Sequence, residues 1–158
     1  MKSIRCINNI LVTGGAGFVG SGFIRTMFKN PEFCGSIVNI DALTYAGDTK
    51  NVAEAAESPR YTFVKGDICN PKLLESLMRL HNIDTIVHFA AESHVDRSID
   101  SPQTFIDTNI LGTFHLLEVA RKSPQVHFHH ISTDEVYGSL GDDGSFTESS
   151  SYRPNSPY

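Results

Sequence analysis

Three cysteines, no basic run longer than Arg121-Lys122 and no apolar stretch of membrane-spanning length occur in the 158 residues, and each scarcity removes a class of protein. Cys6, Cys34 and Cys69 are odd in number and lack close metal-type spacing, which argues against a disulfide framework or a cysteine metal centre. They read as ordinary buried thiols of a reducing compartment. The formal charge of −5 is spread along the chain and leaves no electrostatic footprint for nucleic acid. Met1-Lys2-Ser3-Ile4-Arg5 runs straight into a strand and a glycine loop, without the apolar core or cleavage site of a signal peptide. These absences predict a cytoplasmic protein with neither a membrane nor a nucleic-acid partner. With 40% apolar residues, the chain can bury one sizeable core but not two.

What is present is an alternation. Ile10-Leu11-Val12 reads as a short buried strand, after which Val19, Phe23, Ile24, Met27 and Phe28 recur at helical spacing. Ile37–Ile40 and Tyr61–Val64 read as the next two strands, closed by Asp41 and by Lys65-Gly66-Asp67. Pro71 suits a first helical turn ahead of Leu73, Leu74, Leu77 and Met78, with an end near His81. Asp84–Phe89 is the fourth strand, 102–122 the longest helix and Val126–Ser132 the fifth strand. Strands alternating with helices force parallel pairing through right-handed crossovers. The expected fold class is therefore α/β, a doubly wound parallel sheet of order 3-2-1-4-5. After Ser132 the composition turns to Gly, Ser, Asp, Thr and Pro with no clear further element. We expect residues 1–158 to form an incomplete dinucleotide-binding domain, with its last strands and C-terminal substrate region beyond Tyr158.

The loop Thr13-Gly14-Gly15-Ala16-Gly17-Phe18-Val19-Gly20 follows the first strand and opens the first helix, the context that gives a dinucleotide fingerprint its meaning. One glycine makes the turn, one admits the pyrophosphate, one lets the helix pack on the strand, and the helix N-terminus faces the phosphates. Two registers fit, Gly15-x-Gly17-x-x-Gly20 and Gly14-x-x-Gly17-x-x-Gly20. Asp41, about 20 residues on, sits where a carboxylate holds the adenosine ribose, the alternative being a turn cap. It would also repel a 2′-phosphate, which favours NAD over NADP. Asp67-Ile68 and Phe89-Ala90-Ala91-Glu92-Ser93 end the third and fourth strands, where a doubly wound sheet binds ligands. The alternative is plain strand ends with capping residues.

Ser132-Thr133-Asp134-Glu135 follows the fifth strand. Two adjacent carboxyls resist simultaneous ionisation, so one can donate a proton while the other accepts one, as an elimination requires; a solvated acidic turn explains the spacing as well. His127-Phe128-His129-His130 points to alternating faces of a strand without further ligands, so no metal site is expected there.

Together the glycine loop, Asp41-Ala42-Leu43-Thr44-Tyr45-Ala46-Gly47, Asp67-Ile68, the 88–98 segment, Asn109 and Thr133-Asp134-Glu135-Val136-Tyr137-Gly138 resemble the extended short-chain dehydrogenase/reductases, a Rossmann-fold family. The likeness is greatest to those members that dehydrate nucleotide sugars. It runs from Ile10 to Tyr158. The resemblance implies cofactor contacts at Gly14, Gly17, Phe18, Val19, Gly20, Asp41, Ala42, Leu43, Thr44, Asp67, Ile68, Phe89, Ala90, Ala91, Glu92, Ser93 and Thr108. It implies substrate contacts at Ser93 and Thr133, with dTDP-glucose as substrate and UDP-glucose as the alternative. Pro154-Asn155-Ser156-Pro157-Tyr158 matches the family segment that ends in a Tyr-x-x-x-Lys pair; the lysine would lie four residues beyond Tyr158. A tyrosine near its free pKa of about 10 is a poor base without such a cation, so the 158 residues alone are expected to turn over little substrate. The implied reaction stores a hydride on NAD while Tyr158, Thr133, Asp134 and Glu135 move protons, giving a 4-keto-6-deoxy sugar nucleotide. A 4-epimerase on the same scaffold, and a nucleotide-binding fragment without activity, are the alternatives. Relatives dimerise through helices near Ile110, Thr113, Leu116 and Leu117, which implies a homodimer; a plain core face accounts for the same residues.

Overall fold

The structure is a computed structural model that describes residues 7–141 and 144–158. Five strands, β1 (Asn9–Thr13), β2 (Ser36–Asp41), β3 (Tyr61–Lys65), β4 (Thr85–His88) and β5 (His127–His130), pair in parallel in the order β3-β2-β1-β4-β5. This is the order expected from the alternation. In register, Leu11 lies beside Val38 on one flank and Ile86 on the other. Successive strand residues face opposite sides, so the apolar strands feed two cores. Leu11, Val38, Ile40 and Ile86 pack under α3 (Pro71–Leu80) and α6 (Thr113–Arg121) through Leu74, Leu77, Met78, Leu116 and Val119. Ile10, Val12, Ile37 and Val87 pack against Ile24 of α1 (Phe18–Lys29) together with Phe33, Val52 and Ala55. The doubly wound sandwich follows directly from that division.

Local signals set the helix ends. Asn70 accepts the Leu73 N–H at 3.2 Å and Pro71 occupies the first turn of α3, where its missing N–H costs nothing; His81 closes the helix. Short elements escape the periodicity, because four to six residues do not fill a periodic window. They are the 3₁₀ turn Thr49–Val52, α2 (Ala53–Ala56), α4 (Val95–Asp100) and the 3₁₀ turn Asp134–Tyr137. β4 and β5 are shorter than the apolar runs that predict them, since the ladder covers only Thr85–His88 and His127–His130. The single long helix expected over 102–122 is divided into α5 (Pro102–Phe105), a π-helical segment Ile106–Gly112 and α6. The wider turn goes with tight contacts: a Cβ on Gly112 would lie 2.5 Å from Ile68 Cδ1, and the Asn109 amide is bonded to the loop after β4.

The cysteine expectation needs correction. Cys34 is exposed and Cys69 only half-buried; Cys34 stands in the loop between α1 and β2, outside both cores. Cys6 lies outside the described residues.

One buried polar chain ties the layers together. Ala90 N–H donates to Thr13 Oγ1 (3.2 Å), Thr13 Oγ1 meets His88 Nδ1 (2.7 Å), and His88 Nε2 meets Thr113 Oγ1 (2.9 Å). An imidazole accepting at Nδ1 and donating from Nε2 satisfies both threonines and must be neutral. Burial, with the neighbouring His130, pushes the His88 pKa down from 6.5 to about 4. Between those values the unfolded chain binds a proton that the folded chain refuses, so stability falls as pH drops from 6.5 to 4. The loss is on the order of 3 kcal/mol. Urea unfolding across that window should show the loss in the wild type and a shallower slope in His88→Gln; equal slopes would remove His88 from this account.

Candidate active site

The carboxyl ends of parallel strands face one edge, and the loop after β1 sits at its centre. Its first donors are consumed by β2: Gly14 N–H donates to the Ile40 carbonyl (2.9 Å), Gly15 N–H to Asn39 Oδ1 (3.0 Å) and Ala16 N–H to Asp41 Oδ2 (2.8 Å). Gly14 adopts φ +69°, and a Cβ there would lie 2.6 Å from the Ala90 nitrogen, so this position needs glycine twice over. Gly17 differs. Its φ of −76° suits any residue, and a Cβ would lie 3.3 Å from the Gly14 carbonyl oxygen, a tight approach that a small shift relieves, with the next atom 4.0 Å away; the residue itself lines the cavity.

Gly17 is the N-cap of α1 and offers no side-chain cap, and no acidic residue stands in the first turn. The Phe18, Val19 and Gly20 N–H groups have no partner among the described residues. An uncapped helix start with free donors is a seat for a diphosphate.

Around this seat the cavity wall runs through Gly14, Gly17, Phe18, Val19, Gly20, Asp41, Ala42, Thr44, Asp67, Ile68, Phe89, Ala90, Ala91, Glu92, Ser93 and Thr108. Of the cofactor positions implied by the sequence, Leu43 alone is outside the wall. Its backbone is left-handed (φ 55°) and its N–H donates to Asp41 Oδ1 at 2.8 Å, so it turns the loop instead. Asp41 is thus both a turn-capping carboxylate and a wall residue, 8% exposed toward the cavity. The wall carries Asp41, Asp67 and Glu92 but, among the described residues, neither Lys nor Arg. A ligand anion is met here by backbone donors and the helix dipole, not by a side-chain cation.

The wall also includes Ile40, Ala46, Gly47, Gly66, Ile131 and Ser132, to which the sequence assigned no cofactor contact. Glycines just past β2 and β3 were the available signal. Asn109, which the resemblance named without a role, forms a clamp: Glu92 N–H donates to its Oδ1 and its Nδ2 donates to the Glu92 carbonyl, both at 2.9 Å. The π-helical segment presents that amide.

Past β5 the chain makes the 3₁₀ turn Asp134–Tyr137, with Thr133 Oγ1 accepting the Glu135 N–H at 3.1 Å. It then folds back. Arg153 N–H donates to the Val136 carbonyl (2.9 Å), Asn155 Nδ2 to Ser139 Oγ (2.8 Å), and Tyr137 packs on Phe146 and Tyr152 with ring centroids 5.1 and 5.6 Å away. This return places Tyr158 in the same cavity wall as Ser132. Thr133, Asp134 and Glu135 are not part of the wall; they start one residue beyond it, Asp134 exposed and the other two half-buried.

Another cavity, of about 420 Å³ against 370 Å³ for the crevice, opens between α3 and α6 at the opposite edge, where the strands begin. It holds the Glu75–Lys122 ion pair at 2.5 Å and none of the motif residues. Open α/β sheets bind ligands at the carboxyl edge, which singles out the crevice.

Comparison with known proteins agrees with this geometry. The family described as GDP-mannose 4,6 dehydratase matches residues 11–158. A dTDP-glucose 4,6-dehydratase of Neisseria meningitidis is 49% identical over 96% of the chain, and the chain spans 45% of that relative's length. The solved dTDP-glucose 4,6-dehydratase of Bacillus anthracis, in complex with NAD, superposes with a TM-score of 0.85 at 49% identity, over 96% of this chain and 46% of that one. The UDP-Glc/GlcNAc 4-epimerase of Campylobacter jejuni gives a TM-score of 0.85 at 28% identity, over 96% and 44%.

The two glycines separate fold from ligand. Gly17→Ala should keep the fold, with a stability loss of no more than about 1 kcal/mol, yet weaken dinucleotide binding at least roughly tenfold. Gly14→Ala should cost roughly 2 kcal/mol or more of stability, through strain and the clash with Ala90. Thermal melts and calorimetric titration with NAD distinguish these results, and equal behaviour of the two variants would refute the division.

Proposed function

The chain belongs to the GDP-mannose 4,6 dehydratase family, and from that premise we propose that the protein acts as an NAD-dependent nucleotide-sugar 4,6-dehydratase, converting dTDP-glucose to its 4-keto-6-deoxy derivative. One observation carries the reading: Tyr158 returns to the cavity wall that the glycine loop, Asp41 and the Phe89–Ser93 segment build for a dinucleotide. Gly17 leaves the room, the free N–H groups of α1 receive the diphosphate, and Asp41 takes the ribose hydroxyls with its remaining lone pairs. The same carboxylate, with no cation in the wall, disfavours a 2′-phosphate and selects NAD.

NAD, held by the glycine loop, Asp41 and the Phe89–Ser93 segment, would supply the hydride acceptor for C4 of the sugar and the hydride donor for C6, with the proton taken up by Glu135 returning to C5. Tyr158, with Thr133 beside the wall, takes the proton of the C4 hydroxyl as the C4–H bond breaks. The ketone so formed acidifies the C5 hydrogen. Glu135 removes that proton while Asp134 protonates the departing C6 hydroxyl, which leaves as water. Ser93, in the wall, holds the sugar nucleotide. A 4-epimerase performs only the first of these steps, so adjacent carboxyls after Thr133 have no task in it, and this favours dehydration. A cytoplasmic location belongs to the same reading, supported by the nucleotide nature of the proposed substrate; among the described residues no helix is long and apolar enough to cross a membrane.

The protein also works as a homodimer in this reading. Ile106, Ile110, Phe114 and Leu117 run along the outer side of the helix after Ser101, and the last three are 60%, 52% and 47% exposed. A contiguous apolar row of that kind marks an interface. Light scattering should report a dimer for the wild type and a monomer for Ile110→Glu/Phe114→Glu; a monomeric wild type would refute it.

Incubation of the full-length protein with NAD and dTDP-glucose deuterated at C4 tests the reaction, since the 158 residues alone are expected to turn over little substrate. Label recovered at C6 of a 4-keto product supports dehydration, whereas label retained at C4 with inverted configuration supports the epimerase. Asp134→Asn and Glu135→Gln should each slow dehydration by roughly a hundredfold or more. Unchanged rates in both would remove the carboxyl pair from the mechanism. UDP-glucose, run in parallel, reads the preference for the base.

A further inference from the structure

Arg97 lies in the first turn of α4, and its guanidinium carbon sits 4.6 Å from the ring centroid of Tyr45, in the loop after β2. Neither element touches the other through a strand pairing, and the contact joins segments 52 residues apart. Its path is fixed by topology. β2 and β4 are the two neighbours of β1, and all three end at the same edge. A contact between the loop after β2 and the helix after β4 therefore passes over the end of β1, where the glycine loop lies. Strands are spaced about 4.8 Å apart, so the bridge spans roughly 10 Å. Tyr45 is flanked by Thr44 and Ala46, both in the cavity wall, and Arg97 follows Ser93 of the opposite wall by four residues.

The two partners have little else to do. Tyr45 is 54% exposed, and Arg97 makes no ion pair or side-chain hydrogen bond among the described residues. The loop that carries Tyr45 is anchored, by contrast. Asp48 N–H and Asn51 Nδ2 both donate to the Ala16 carbonyl, at 3.1 and 2.8 Å, while Asp41 holds the Ala16 N–H. Arg97 is on the short α4, whose cap makes no side-chain bond. One jaw is thus fixed to the glycine loop, and the ring contact ties the other to it.

We propose that Tyr45 and Arg97 form a cation–π clasp across the mouth of the crevice that retains the bound dinucleotide. The inference rests on the cofactor reading above and adds to it a pair of retaining residues outside the wall. A cofactor that leaves the reaction in the form in which it entered has no need to dissociate at each turnover, so slow release costs the cycle nothing. The pair acts by closing the mouth, not by touching the reacting atoms.

The test loads the purified protein with radiolabelled NAD and follows loss of label after dilution into excess unlabelled NAD. Arg97→Ala and Tyr45→Leu should each speed release roughly three- to fivefold, as loss of one exposed cation–π contact allows. The double variant should be no faster than either single one, because both remove the same contact. Tyr45→Phe keeps the ring and Arg97→Lys keeps the charge, so both should stay near the wild-type rate with unchanged melting temperatures. Wild-type release rates in Arg97→Ala and Tyr45→Leu, or multiplicative effects in the double variant, would overturn the clasp while leaving NAD binding intact. A wild-type protein that retains no NAD would overturn the cofactor reading, and the clasp with it.

Discussion

Everything at the carboxyl edge depends on how the glycine loop is seated on its neighbours. Three consecutive N–H groups, those of Gly14, Gly15 and Ala16, are spent on Ile40, Asn39 and Asp41 at the end of β2. On the other flank the missing side chain of Gly14 lets the loop press on Ala90 after β4. The backbone is thereby locked between two strand ends, Gly17 N–H turns back to the Gly14 carbonyl, and the donors of Phe18, Val19 and Gly20 at the start of α1 are left free beside the crevice. Buried backbone groups are satisfied and ligand-facing ones are not, which is the division a binding loop requires.

The floor under this loop is rigid for a different reason. His88, Thr13 and Thr113 form a hydrogen-bonded line from β1 through β4 to α6, and the same Thr13 hydroxyl receives the Ala90 N–H. Buried polar groups that are fully paired hold neighbours in one arrangement and penalise any other. Asn109 extends the control outward by gripping both sides of the Glu92 peptide from the π-helical segment. The strand ends that line the crevice are thus positioned from beneath and from the side. The segment after β5 is held more sparsely, by an aromatic cluster and a few backbone bonds, and it carries the residues assigned to proton transfer. A fixed floor beneath a more adjustable segment suits the proposed reaction, in which two carbons of one sugar would approach the same hydride carrier in turn.

The electrostatics of the crevice fit the same picture. Three carboxylates and no side-chain cation line it, so a diphosphate must rely on backbone donors and the α1 dipole. These are short-range and directional, and they discriminate by position more than by charge. Arg97, just outside the wall, is the nearby cation whose partner is an aromatic face.

The residues of the chain determined the order of strands and helices, and with it the sheet topology, because apolar periodicity and right-handed crossovers are local properties of the pattern. They also marked most of the crevice wall, since a strand end followed by small or acidic residues is visible in one dimension. The π-helical segment at Asn109 was not visible: one extra residue in a turn leaves the apolar spacing of Phe105, Ile110 and Leu116 nearly intact. Cys34 looked like a core thiol because a cysteine carries no sign of the loop it sits in. The bond between His88 and two threonines, the return of Tyr158 through Arg153 and Tyr137, and the meeting of Tyr45 with Arg97 join residues up to 75 positions apart. Such pairings are decided only when the strands assemble, because it is the strand order that puts their ends on one edge.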